Sequence, residues 1–551
     1  MSSNKYYNLI IGLAGPYGAG CSSIAEDLTN IIQNRPGCTV VNIRVSELIK
    51  RYYKIITARD LKLKSKTKAN RRKILQEAGT EMRQEDPEII GKVIITEIYE
   101  KALSKEEKGQ FDIGTAVFIV DSIKNQNELE LLRKTFSNEF FLLFLYSDRE
   151  TRWRRMVDYK SWDKKDRVKF EERDLIDQDE KSERPSVGYA GQQVGKLAGM
   201  GDYYIVNDQN RESLYNDAKR FVNLLFGGGS NQPTLEERSM HLAFSAANRS
   251  FCLSRQVGAA IIDDKGDVLG VGHNDVPKAT GGLYRQEDEN DRRCYLVGDM
   301  RCINHVNKEE RFNSLYKKII NEIQKYIGPL KSKPKNGSRS LSNFKESIKS
   351  LIEGSPFREA TEYCRAVHAE MEALLSVART GRSPVGATMY VTTEPCHNCT
   401  KHIICAGIKK VVFMEPYPKS LGMELHSDAI HRGSSLPMCS DNKVLYTAYQ
   451  GVAPYRYQDF FQAIEERKDN NGKYIRRTKD QKSFEPRFAM RLNRRKRKVR
   501  PKDLDAITAR EKDIANSIGY MLNNGRTIKK HKMEDDKDAG GKATGGVESR
   551  T

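Results

Sequence analysis

Four residues in the second half of the chain have the types and the spacing to do chemistry. His368 and Glu370 stand in H-A-E at 368–370, and Cys396 and Cys399 in P-C-H-N-C at 395–399. One imidazole and two thiolates make three zinc ligands and leave a fourth position open. A structural zinc site closes that position with another protein ligand, whereas a catalytic one keeps it for water. Glu370 is not needed as a ligand. A carboxylate beside a metal-activated water can take its proton and pass it to a substrate, so Glu370 is expected to be a proton shuttle.

The neighbouring sequence must hold these groups together. After His368, A-E-M-E-A-L-L reads as a helix whose apolar face is Ala369, Leu374, Leu375 and Ala378, stopped by Gly381. The run A-T-M-Y-V-T-T at 387–393 reads as a strand. Pro395 then opens a second helix, on which Cys396 and Cys399 share one face at i and i+3. A helix over 236–249 and a hairpin over 256–275, turning at Asp263–Asp267, precede this block, and a strand over 408–413 follows it.

The chain has 551 residues and a formal charge of +20. That length accommodates two or three domains. No apolar run is long enough to span a bilayer, so no membrane partner is expected. The N-terminus lacks a basic region and a cleavage site, so no signal peptide is expected. Ten cysteines in such a length do not form a disulfide framework. Beside a metal motif they point to a reducing cytoplasm. The basic balance favours phosphorylated partners, nucleotides or nucleic acid.

Residues 7–15 read as a buried strand entering a glycine loop, Gly15-Pro-Tyr-Gly18-Ala-Gly20-Cys21-Ser22, with an amphipathic helix behind it. Such a loop aims backbone N–H groups at phosphate from a helix N-terminus. The P-loop pattern is G-x-x-x-x-G-K-[S/T]. Cys21 stands where its lysine belongs, and Ser22 holds the magnesium-binding position. Strands at 40–44, 116–121 and 140–146 follow, the second ending in Asp121, as a magnesium-binding strand does. The charged stretch 149–184 reads as a mobile lid. Strands alternating with helices indicate a doubly wound parallel sheet.

This half resembles the P-loop nucleoside and deoxynucleoside monophosphate kinases, through L-Q-E-A-G-T-E-M-R at 75–83 and V-F-I-V-D-S-I-K-N at 117–125. The second half resembles the cytidine deaminase superfamily, and within it deoxycytidylate deaminase. The carriers are R-Q-V-G-A at 255–259, G-H-N-D at 272–275, H-A-E, E-P-C-H-N-C at 394–399 and A-G-I-K-K-V-V-F at 406–413. H-x-E followed by P-C-x-x-C is the signature of zinc-dependent nucleobase deaminases. Fused, the two halves resemble the bacterial anti-phage deoxycytidylate deaminases.

The resemblance implies an α/β chain: a P-loop kinase-like parallel-sheet domain over 1–226, a linker at 227–233 and a three-layer α/β/α deaminase domain over 234–465. An insertion at 276–360 interrupts the latter, and 466–551 form a basic tail. It implies zinc on His368, Cys396 and Cys399, Glu370 as proton shuttle, and Asn274 on the sugar of a deoxycytidine nucleotide. Arg255 is a candidate phosphate contact. Gly15, Gly18, Gly20, Cys21, Ser22 and Asp121 would form a nucleotide pocket, with Mg²⁺ and a nucleoside triphosphate effector. Glu372 stands where many deoxycytidylate deaminases carry Asn, which leaves monophosphate and triphosphate both open. A homo-oligomer is implied as well.

Cys294, Cys302, His305 and Cys364 bracket the insertion, and some deoxycytidylate deaminases carry a second, structural zinc in this region. Four such ligands would close a tetrahedral site. Cys252, Cys405 and Cys439 read as core thiols. Arg491–Arg500 holds seven basic residues in ten, a candidate surface for a regulatory RNA. Two rival functions remain: a deaminase acting on bases in RNA or single-stranded DNA, and a nucleotide-sensing regulator with a structural zinc site.

Overall fold

The computed structural model describes residues 6–61, 68–106, 114–160, 162–178, 190–226, 232–327, 341–353, 363–434, 442–462 and 468–473. Linker residues 227–231, Cys439 and the basic run 491–500 lie outside these. The chain divides into two units: one takes residues up to Thr234 and resumes at Tyr449, and the other is Leu235–Ala448.

The first unit is built on strands β1 (Tyr6–Ala14), β2 (Cys38–Arg44), β3 (Gly114–Asp121), β4 (Phe140–Tyr146) and β5 (Tyr203–Val206). They form a parallel sheet in the order β5-β4-β1-β3-β2. Central β1 reads as continuous hydrophobics because helices cover both faces, and Leu9, Ile10, Ile11 and Leu13 are fully buried. Helix α1 (Cys21–Gln33) follows the glycine loop and packs Ile24, Leu28 and Ile32 into this core. The stretch read as a mobile lid contains a helix at Arg149–Lys160 and α2 (Arg167–Gln178). Arg149 Nε and Arg152 Nη1 bind the buried Asp174 carboxylate at 2.9 and 2.5 Å, tying the two together.

The second unit holds β6 (Gly258–Ile262), β7 (Val268–His273), β8 (Thr388–Thr393), β9 (Lys410–Glu415), β10 (Ile430–Arg432) and β11 (Val444–Ala448), in the order β10-β11-β9-β8-β6-β7. The four strands from β8 to β10 run parallel, and the hairpin β6–β7 adds antiparallel at one edge. Helices α3 (Leu235–Ala247), α4 (Ala369–Arg379) and α5 (His397–Cys405) complete the frame. Neighbouring strand residues face opposite sides. A Cβ on Gly258 would meet Ala243 O of α3 at 1.9 Å, while one on Gly272 would meet Ala369 O and Ala373 N of α4, both at 2.3 Å. Gly272 pairs with Ala259, next to Gly258, so α3 and α4 cover opposite faces of the sheet.

One expectation changes. Residues 449–462 were assigned to the second domain, but β12 (Gly451–Val452) pairs antiparallel with Tyr203–Tyr204 on β5, and Phe460 enters the first unit's core. A two-residue strand leaves no periodicity to read. Among the described residues, the insertion holds helices at Ile303–Ile327 and Leu341–Glu353.

Gly272 is the closest approach of α4 to the sheet. Gly272→Ala should force that helix outward and cost about 1–3 kcal/mol, as overpacking does. Denaturant unfolding of the full-length chain checks this; an unchanged transition would show that the contact can yield.

Candidate active site

His368 and Cys396 are the N-cap residues of α4 and α5. Both helix N-termini therefore point at one place, where unpaired N–H groups favour negative charge. His368 Nδ1 lies 3.4 Å from Cys396 Sγ and 3.3 Å from Cys399 Sγ. Among the described residues, this is the only set of three or more His, Cys, Asp or Glu donors gathered within 4.8 Å. The sequence reading placed both cysteines inside one helix. Instead α5 starts at His397, with Cys396 capping it and Cys399 in its first turn. The Cys396 thiol is pushed down to about 4, chiefly by the Cys399 thiol hydrogen bond and then by His368, against the cost of burial. A lowered pKa favours the thiolate, the form that binds metal.

Glu370 is buried, and burial is the main cause raising its pKa, with His368 opposing and Cys396 reinforcing. Its neighbours on α4 differ from the apolar face expected: Ala369, Glu370, Glu372, Ala373 and Val377 are buried, whereas Leu375 and Ala378 are exposed. Glu372, the residue that stands where Asn is common, accepts from Arg379 Nη2 at 2.5 Å and does not line the cavity over His368, so its charge is compensated locally.

That cavity, about 160 Å³, is lined by Arg255, Asn274, His368, Glu370, Glu394 and Tyr417 among others. Asn274 is largely engaged in structure. Its Oδ1 accepts from Val257 N and its Nδ2 donates to Arg255 O, both at 2.7 Å. One N–H and one lone pair of its amide remain. Arg255 reaches the cavity but is ion-paired with Glu415. Sequence reasoning missed Glu394 and Tyr417. Buried Glu394 accepts from Tyr417 N at 3.0 Å and Arg432 Nη2 at 2.7 Å, fixing the loop after β9 over the cavity. The only signal was its place directly before Pro395.

The second cysteine group gathers differently from the expectation. Cys294, Cys302 and Cys364 line one small cavity of about 10 Å³, and the fourth cysteine there is Cys252. His305 is not part of it; it is largely exposed and faces Glu309 at 3.3 Å. One helical turn past Cys302 carries its ring toward Glu309 instead. Cys364 also lines the cavity over His368, and Cys405, read as core, is exposed. In the first unit Ser22 Oγ donates to Asp121 Oδ2 at 2.7 Å beside the glycine loop, and half-buried Cys21 opens α1 directly after that loop.

A family profile described as the cytidine and deoxycytidylate deaminase zinc-binding region matches residues 233–415. The deoxycytidylate deaminase of Enterobacteria phage T2 is 30% identical over 190 residues, covering 33% of this chain and 80% of the phage protein. The chain belongs to the deoxycytidylate deaminase family. The deaminase of Mycobacterium phage D29 is 27% identical and aligns over 34% of this chain and 98% of its own length. Among solved structures, apo dCMP deaminase from cyanophage S-TIM5 is 17% identical, covering 39% of this chain and 99% of that one with a TM-score of 0.20. As a hydrolase of this superfamily, the deaminase carries a zinc-binding region, and one imidazole with two thiols is a donor set that fits zinc. The profile match at 233–415 falls almost wholly in the second unit, Leu235–Ala448.

His273 ends β7 beside Asn274 and is buried. Burial first, then Arg249, push its pKa from 6.5 down to about 4, with Asp275 opposing and Arg293 and Arg285 adding to the fall. Between those values the unfolded chain binds a proton that the folded one refuses, so stability drops as pH falls. His273→Gln should lose less melting temperature than the wild type from pH 6.5 to 4. Parallel curves would assign the acid loss to other groups.

Proposed function

We propose that this deaminase converts deoxycytidine nucleotides, dCMP, dCTP or both, to deoxyuridine nucleotides by hydrolysis. The observation that carries the reading is Glu370, buried beside His368, Cys396 and Cys399 in one cavity. In this reading those three residues hold zinc, which supplies the Lewis acid that makes water nucleophilic near neutral pH. Glu370 takes the first proton of the attacking water and places it on ring N3. As C4 is attacked, Glu370 collects the second proton and gives it to the amine, which leaves as ammonia. A carboxyl raised by burial is suited to this, since it must both accept and return a proton. The free N–H and lone pair of Asn274 face the sugar. Arg255 exchanges Glu415 for phosphate.

Glu370→Ala should retain its zinc and lose at least about 10²-fold in ammonia release from dCMP or dCTP, the scale of general acid–base catalysis. Near-wild-type turnover in that variant would sink the role. Wild-type activity confined to single-stranded oligonucleotides would replace the free nucleotide with a polynucleotide substrate. Inactivity on every cytosine nucleotide would favour a regulator.

A second zinc, in this reading, is held by Cys252, Cys294, Cys302 and Cys364, with Cys252 in the place expected for His305. The small cavity they share supports it: four thiolates close a structural site, and here they would staple the insertion to the deaminase sheet. Elemental analysis should find two zinc per chain, falling to one in Cys294→Ser/Cys302→Ser. One per chain in the wild type would remove the second site.

The first unit, in the same reading, is a P-loop kinase-like domain over 1–226, separated by a linker at 227–233 from a deaminase domain. It binds a nucleoside triphosphate effector with Mg²⁺ at Ser22 and Asp121. The chain then drains deoxycytidine nucleotides in defence against phage, in the cytoplasm and as a homo-oligomer, with the basic tail open to RNA.

A further inference from the structure

The glycine loop of the first unit lacks its own cation, because half-buried Cys21 occupies the lysine position and a thiol carries no positive charge. Two cations from other elements stand in the same neighbourhood. Lys124, three residues past β3, donates from Nζ to Gly15 O at 2.8 Å, the carbonyl of the loop's first glycine. The same ammonium meets both oxygens of Asp177 at 3.0 and 3.1 Å. Lys124 is held there by its own backbone, whose N–H donates to Glu128 Oε2 at 3.0 Å, while Arg83 Nε and Nη2 grip Glu128 Oε1 at 2.9 and 2.7 Å. That pair is fully buried, and breaking such a pair is strongly destabilising, so the position is rigid.

Asp177 belongs to α2, and Arg173 lies one turn before it on the same helix face. Arg173 is only 6% exposed, yet its Nη1 has no hydrogen-bond partner among the described residues. Its guanidinium covers Trp162 at 5.1 Å, and Trp162 packs on Tyr17 of the loop at 6.4 Å. A buried guanidinium with an idle N–H is a costly arrangement that an anion would relieve.

We infer that Lys124, with Arg173, supplies the positive charge missing from the glycine loop, and that Asp177 occupies Lys124 until a nucleotide polyphosphate displaces it. This rests on the reading of the first unit as nucleotide-binding and adds to it the residues that bind and the carboxylate that competes. An ammonium reaches phosphate as a point charge, so it can come from a neighbouring strand as readily as from the loop. The competition makes the site selective for a ligand with enough negative charge to replace a buried carboxylate.

The test uses the full-length chain and calorimetric titration with Mg²⁺–ATP and, separately, inorganic tripolyphosphate. Asp177→Asn should bind at least about tenfold more tightly than wild type, because the ammonium is released from its partner. Lys124→Met made on the Asp177→Asn background, which leaves no unpaired buried carboxylate, should lose that gain and at least about tenfold more. Adding Cys21→Lys to the double variant should restore binding, a rescue that an unfolded chain could not show. Equal affinities for Asp177→Asn and the double variant would overturn the role of Lys124 and leave the nucleotide reading standing. No binding of either probe by wild type or Asp177→Asn would overturn both.

Discussion

Everything in the second unit depends on how closely α4 can lie on the sheet. Gly272 faces Ala369 and Ala373 with no room for a methyl group. That approach places the first turn of α4, and with it His368 and Glu370, opposite the start of α5. Two helix N-termini then converge on thiols that bind metal best as anions. Buried Glu370 lies in the same first turn of α4, beside His368.

The grouping of His368, Cys396 and Cys399 was legible in the sequence because H-A-E and P-C-x-x-C fix residue types at short range, and short range is what helices preserve. The positions on those helices were not. Pro395 suggested a helix start, yet the chain spends one more residue, Cys396, as the cap. The apolar pattern nominated Leu375 and Ala378 for the core, while α4 buries Glu370 and Glu372 instead, since a site places charge where periodicity expects hydrocarbon. His305 was expected beside Cys294, Cys302 and Cys364, but the fourth cysteine lining their cavity is Cys252, some fifty residues upstream by number. Asn274 was read as a substrate contact, and most of its amide is spent fastening the 255–257 loop.

In the first unit the readable part was again local: the glycines, the strand ending in Asp121, the run of parallel strands. Lys124 escaped notice because its partners, Gly15 and Asp177, are separated from it by long stretches of chain. A missing lysine in a motif is informative only once the fold shows what stands in its neighbourhood.

The smallest strand carries a consequence for the order in which the protein can form. Gly451 and Val452 pair with Tyr204 and Tyr203, so the first sheet gains its last strand from chain made after the entire second unit. During synthesis the deaminase sheet therefore has all its strands before the N-terminal sheet has its own. Until then the outer edge of β5 lacks its partner, with unsatisfied backbone groups of the kind that invite pairing with other chains. The unit that begins first is completed last.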